Sequence, residues 1–193
     1  MNNTNVSFEE KLSEYQLAYE LLRRKLRTSY VSQIIKHITP DELKEIYRMI
    51  HQGASPRAGS TPSINTIPYF RESFIYLSLF ASLYRNASLI DIKTEIDVSA
   101  VLFAWDFFCE TFPNHIRESK PYDKIRPANF NEAWIIAQSL KNGLTTIKYC
   151  NGCIGDTLIM LNSSFQPICQ ICDIDRKREN SRRKSSERTN QLS

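Results

Sequence analysis

A mainly α protein with a small β module at its C-terminal end is what the sequence predicts, and three observations carry that reading. Apolar residues recur at helical spacing through the first 145 of the 193 residues. Only then does a β-rich stretch appear, TLIMLNSSFQPI, with Thr157–Leu161 as one strand, a turn at Asn162-Ser163-Ser164, and a second short strand leading into Cys169. Four of the five cysteines fall in that same region, as two Cys-x-x-Cys pairs. A chain of about 190 residues buries a sizeable core unaided, whereas a module of roughly 30 residues needs a staple.

The helical elements follow in order. Ser7, with Glu10 three residues later, has the form of a capping box. Phe8, Leu12, Tyr15, Tyr19, Leu22 and Leu26 then alternate steps of four and three, a heptad-like seam. Such a seam packs on the chain's own core or on a helix of a partner chain. Arg23, Arg24, Lys25 and Arg27 place cations at its C-terminal end, where the helix dipole favours them. A short helix follows, with Val31, Ile34, Ile35 and Ile38 as its buried side. In TPDELKEIYRMIHQG, Thr39 is an N-cap, Pro40 occupies the first helical position, and Glu42 closes a second capping box. Leu43, Ile46, Tyr47 and Ile50 line one face, and Gly53 is the stop. These two helices, joined around His37–Thr39, form a helix-turn-helix-like pair, an outline shared by DNA readers and ordinary helical cores.

Residues 53–68, GASPRAGSTPSINTIP, make a Pro/Gly/Ser-rich connection too long for a bare turn. YFRESFIYLSLFASLYRN is apolar nearly all round and predicts the central helix. DVSAVLFAWDFFCETF is another, ended by Pro113; residues 114–128 are irregular; FNEAWIIAQSLKNG is the last long helix, stopped by Gly143. Trp105, Trp134 and Cys109 read as packing residues on these helices. The boundaries that result are a helical body and partner-binding region over 1–148, a cysteine module over 149–173, and a basic tail over 174–193. The tail has almost no apolar residues, which predicts disorder when unbound.

Charge and missing motifs narrow the function. Residues 1–140 hold 16 basic and 16 acidic side chains, and residues 141–193 hold 9 and 5, so the whole excess of +4 is C-terminal. A neutral body with a basic end suits nucleic-acid binding through phosphate neutralisation, or else is a solvated tail. The three histidines, His37, His51 and His115, have no metal-ligand spacing, and no phosphate-binding glycine loop or nucleophile elbow is present. The sequence therefore predicts neither an enzyme nor a small-molecule substrate. MNNTNVSFEE has neither a basic start nor an apolar run, and the longest apolar stretch, Phe74–Tyr84, is too short to cross a bilayer. The expected location is the cytoplasm, without membrane contact, where thiols stay reduced.

Cys150-x2-Cys153 and Cys169-x2-Cys172, fifteen residues apart, fit four-cysteine zinc spacing. Each Cys-x-x-Cys turn aims two sulfurs at one ion, and a hairpin between the pairs brings the turns together. Four thiolates fill a tetrahedral shell and leave no place for water, so the expected cofactor is one structural Zn2+ per chain in a zinc ribbon. Gly152 and Gly155 suit a tight knuckle with backbone N–H groups aimed at sulfur. An iron–sulfur cluster and a redox pair are the alternatives. A dithiol oxidoreductase needs only one such pair beside a βαβ pattern, which is absent.

TPDELKEIYRMIHQGASPRAGSTP, DVSAVLFAWDFFCETFP, and FNEAWIIAQSLKNGL running into YCNGC…CQIC together resemble, in order and spacing, FlhC, a subunit of the bacterial flagellar master transcriptional activator. The resemblance spans roughly residues 10–175. It implies a mainly helical protein with a C-terminal zinc site, whose ligands match Cys150, Cys153, Cys169 and Cys172 one for one. It also implies a hetero-oligomer with a smaller helical FlhD-like subunit, which binds promoter DNA and helps recruit RNA polymerase. Target operons would be flagellar, or conjugative-transfer operons for mobile-element homologues. On this reading Arg176, Lys177, Arg178, Arg182, Arg183 and Lys184 neutralise phosphates, and Lys44, Arg48 and Arg57 are the candidates for base-edge contact. The alternative is a zinc-ribbon protein-interaction adaptor that contacts RNA polymerase without touching DNA.

Overall fold

The computed structural model describes residues 7–60, 63–67, 71–113, 128–160 and 168–190, with side chains outside the description at residues 66, 71, 72 and 184–190. The protein is mainly helical, with a two-stranded antiparallel sheet and a four-cysteine cluster near the C-terminus. The chain divides into two compact units, Met1–Thr61 and Pro62–Ser193.

The first unit holds α1 (Phe8–Arg23), α2 (Thr28–Ile34) and α3 (Pro40–Ile50). Both predicted capping boxes form: Ser7 and Thr39 accept from the backbone N–H groups of Glu10 and Glu42, whose side chains reach back. Lys25, at φ 62°, turns the chain out of α1. Gly53, at φ 86°, donates its N–H to the Arg48 carbonyl and closes α3. The helix-turn-helix-like pair is α2 and α3, packed through Tyr30, Val31, Leu43 and Tyr47 with Ile35 and Ile38 between them. Glu14 on α1 secures that connection by accepting the N–H groups of Lys36 and His37. The α1 seam is only partly covered by the chain's own core. Leu22 and Leu26 are fully buried, whereas Phe8, Leu12 and Tyr19 are 80%, 46% and 50% exposed.

The second unit holds a 3-10 turn (Ile64–Thr66), α4 (Arg71–Ala87), α5 (Val98–Thr111), α6 (Phe130–Lys141), β1 (Thr145–Cys150), β2 (Gly155–Met160) and α7 (Gln170–Asn190). As predicted, α4 is the hub, touching α5, α6, α7 and both strands. The helix buried almost all round is α6, from Phe130 to Leu140. Phe80, Trp105, Phe108 and Phe130 interlock where α4, α5 and α6 meet. No helix among the described residues is long and apolar enough to cross a membrane.

Some local expectations differ from the structure. Among the described residues the hairpin encloses the first cysteine pair: β1 pairs with β2 from Thr145↔Met160 to Cys150↔Gly155. Thr145, Thr146, Ile147 and Tyr149 are strong strand formers and begin pairing directly after the Gly143 stop. The expected turn at Asn162–Ser164 and the body of the expected second strand lie outside the described residues, and the second pair brackets the start of α7. Residues 174–190, expected to be disordered, belong to that helix. Their Arg, Lys and Glu are good helix formers, and the fixed first turn removes the nucleation cost. The compact units part at Thr61/Pro62, and within the second unit β2 is buried from Thr157 to Met160 against α4.

Candidate metal centre

Three elements deliver the four cysteines. Cys150 ends β1, Cys153 lies in the Asn151–Ile154 turn, and Cys169 and Cys172 bracket the start of α7. The hairpin is seated on α4: Leu158 donates its N–H to Ser78 Oγ at 3.2 Å, and Asp156 accepts from Ser82 Oγ at 2.8 Å and pairs with Arg85. Cys169 accepts the Asp173 N–H at its carbonyl and so occupies the N-cap position of α7. The two α7 sulfurs thus stand at a helix N-terminus, where the dipole favours anionic sulfur.

The four sulfurs lie within 4.8 Å of one another. Cys150 faces Cys172 at 3.6 Å and Cys153 faces Cys169 at 3.5 Å. A tetrahedral ion with metal–sulfur bonds of about 2.3 Å sets its ligands about 3.8 Å apart, which these separations approach. They are too long for disulfides, whose sulfurs stand about 2 Å apart. A polynuclear cluster would hold its cysteines on different metal atoms and farther apart than one tetrahedron's edge.

The electrostatics agree. The backbone N–H groups of Cys153 and Gly152, with the Cys172 thiol, pull the Cys150 thiol down to about 6. Its hydrogen bond to Cys150, followed by burial, pushes Cys172 up to about 12. Burial, then the neighbouring Cys169 and Cys150 thiols, raise Cys153. Thiols packed this closely do not all ionise together unless a cation lies among them. The donor set therefore fits a divalent metal ion held by four thiolates. The knuckle glycines act as expected: Gly152 donates toward Cys150 and Gly155 toward Cys153. A Cβ on Gly152 would stand 2.9 Å from Cys172 Sγ, so a side chain there collides with that sulfur.

Ile154 closes the knuckle with φ at 57° and is 77% exposed. A β-branched residue in left-handed backbone costs roughly 1–2 kcal/mol, part of which glycine returns as lost chain entropy. Ile154→Gly should stabilise the protein by about 0.5–1 kcal/mol at unchanged metal content, measured as a higher urea midpoint. A lower midpoint would mean that the side chain contributes contacts that outweigh the strain.

The candidate nucleic-acid residues fall in both units. In the first, Lys44 pairs with Asp41 at 2.8 Å and Arg48 with Glu45 at 3.2 Å on the exposed side of α3, and Arg57 is exposed on the following loop. In the second, Arg176 and Lys177 both engage Asp173, at 2.8 and 2.7 Å, while Arg178, Arg182 and Arg183 are exposed farther along α7. Lys184 lies on α7 with its side chain outside the described residues. Sequence reasoning passed over Asp173, Asp156 and Ser82. Asp173 had a readable signal, an acid followed three and four residues later by cations directly after a cysteine.

A protein-family model described as flagellar transcriptional activator (FlhC) matches residues 1–185. No curated protein matches the chain.

Proposed function

The chain belongs to the FlhC family of flagellar transcriptional activators, and from that premise we propose that it is a DNA-contacting activator subunit of a hetero-oligomer with an FlhD-like helical partner. The family is one of transcriptional activators rather than enzymes. In the proposed assembly the four cysteines hold one structural Zn2+, α7 lies along promoter DNA, and the DNA-bound complex helps recruit RNA polymerase in the cytoplasm. Flagellar operons are the proposed targets; the family's description gives no support to conjugative-transfer operons.

The observation that carries this reading is the joining of a metal centre to a basic helix: Cys169 and Cys172 fix the first turn of α7, whose exposed arginines then run outward. A helix polar on all sides gains little from packing on its own protein and is suited to a charged ligand. Phosphate contact supplies affinity there, while base recognition falls to Lys44, Arg48 and Arg57. The exposed part of the α1 seam, Phe8, Leu12 and Tyr19, has the four- and seven-residue steps that keep side chains on one helix face, and is the proposed seat of the partner subunit.

The test is an anisotropy titration of the full chain, alone and with its partner, against a flagellar promoter duplex and a scrambled duplex. With the partner present, the promoter should be preferred by roughly 10^3-fold or more, with affinity falling steeply as salt rises. Absence of binding to either duplex, with RNA polymerase still captured, would replace this reading with the adaptor.

A further inference from the structure

We infer that Arg176 and Lys177 are positioning residues of the metal centre rather than DNA ligands, and that phosphate contact by α7 belongs to Arg178, Arg182 and Arg183. This rests on the proposed DNA reading for its second half only.

The Asp173 side chain is 6% exposed, immediately after the ligand Cys172. Its two oxygens are engaged separately, Oδ1 by Arg176 and Oδ2 by Lys177. Four thiolates around a divalent ion leave a net charge of −2, and Asp173 adds another negative charge beside them. Two cations at one buried carboxylate offset that accumulation. Withdrawing them toward a phosphate would leave a buried charge uncompensated, which is costly. The Lys44–Asp41 and Arg48–Glu45 pairs differ, because their carboxylates are 92% and 61% exposed. Exposed pairs of that kind exchange partners at little cost.

Helical spacing separates Arg178 and Arg182 from the first group. At about 100° per residue, Arg178 and Arg182 lie about 140° and 180° around α7 from Asp173. Both side chains are exposed; Arg183, seven residues after Arg176, returns to the Arg176 side of α7 about 10 Å farther along the helix and is exposed there. Arg178 and Arg182, four residues apart, place two exposed guanidinium groups on one stripe of the helix, a spacing that suits a line of phosphates.

Full-chain protein with its partner is titrated against a duplex of scrambled sequence over a salt series, and zinc release to a chelator is timed in parallel. R178Q/R182Q/R183Q should flatten the log-affinity against log-salt slope by up to about 2.7, at roughly 0.9 per lost phosphate, with zinc release unchanged. R176Q/K177Q should leave the slope unchanged and speed zinc release roughly 10-fold or more, as loss of an outer-shell partner does, with R176K/K177R restoring the slow rate. D173N should steepen the slope by up to about 1.8, because two cations become available to phosphates. A flattened slope in R176Q/K177Q with normal zinc release would overturn the inference. If the wild-type chain does not bind the duplex, the phosphate half falls with the proposed function, and the release rates alone uphold or overturn the positioning role.

Discussion

Replacing Cys150 by serine should release the metal and melt α7 while the helices before it persist. Together with Cys153, Cys150 joins the hairpin to the helix: it ends β1 and faces Cys172 of α7 at 3.6 Å. A structural zinc site supplies on the order of 10–16 kcal/mol of coupled folding free energy, and a hydroxyl does not replace a thiolate in it. The 21-residue helix has almost no apolar surface to hold it otherwise, and helices of that kind are marginal in water. The far end of the hairpin behaves differently, because Leu158, Ile159 and Met160 are buried against α4. Metal content should fall from one ion per chain to a small fraction. The loss of far-UV helical signal should be confined to what α7 contributes, with the fluorescence of Trp105 and Trp134 unchanged. A variant that kept both its metal and its full helicity would refute the ligand assignment.

Much of this was legible in the sequence because local chemistry decided it. The boxes at Ser7–Glu10 and Thr39–Glu42, the stops at Gly53 and Gly143, and the apolar faces of α2 and α3 are set by neighbours in the chain. The Cys-x-x-Cys spacing likewise specified a four-sulfur cluster, because two ligands per turn are fixed by a few backbone angles. The hairpin's position was less legible. Either pair of strong strand formers, before or after the first cysteines, could serve as a hairpin arm, and pairing across the knuckle is decided by the buried seat on α4. Helix formation in the basic tail was illegible to composition alone. Composition registers the lack of apolar residues, whereas the helix depends on a first turn fixed by Cys169, Cys172 and Asp173.

The same distinction explains α1. Its heptad spacing is visible at once, yet spacing does not say which helix fills the seam. The structure covers Leu22 and Leu26 and leaves Phe8, Leu12 and Tyr19 exposed, so the chain's own core fills only part of one periodic pattern. Charge shows a parallel ambiguity. Seven basic residues between Arg176 and Arg188 read as one patch, but a buried carboxylate occupies two of them.

Phe108→Ala should be the most destabilising single substitution in the second unit's helical core. Phe108 is fully buried on α5, with ring centroids 6.4 Å from Phe80, 5.7 Å from Trp105 and 5.3 Å from Phe112. Truncating such a ring removes its transfer free energy and opens a cavity that fixed neighbours do not refill, a cost of about 3–5 kcal/mol. Edge-on contact with Phe80 adds to the loss, since aromatic pairs contribute roughly 0.5–1.5 kcal/mol beyond area. Total stabilities of about 5–15 kcal/mol make this a large fraction. Phe103 is the internal control: it lies on the same helix but is 63% exposed, so Phe103→Ala should shift stability by less than about 0.5 kcal/mol. Both tryptophans lie in this unit, and a urea titration followed by their fluorescence reads it directly. The consequence reaches the metal centre through α4, which Phe80 packs on one side and whose Ser78, Ser82 and Arg85 seat β2 on the other. Loosened α4–α5 packing should therefore speed zinc release from Phe108→Ala in proportion to its loss of stability and leave Phe103→Ala at the wild-type rate. Equal urea midpoints for the two variants would show that the interlocked rings do not hold the unit together.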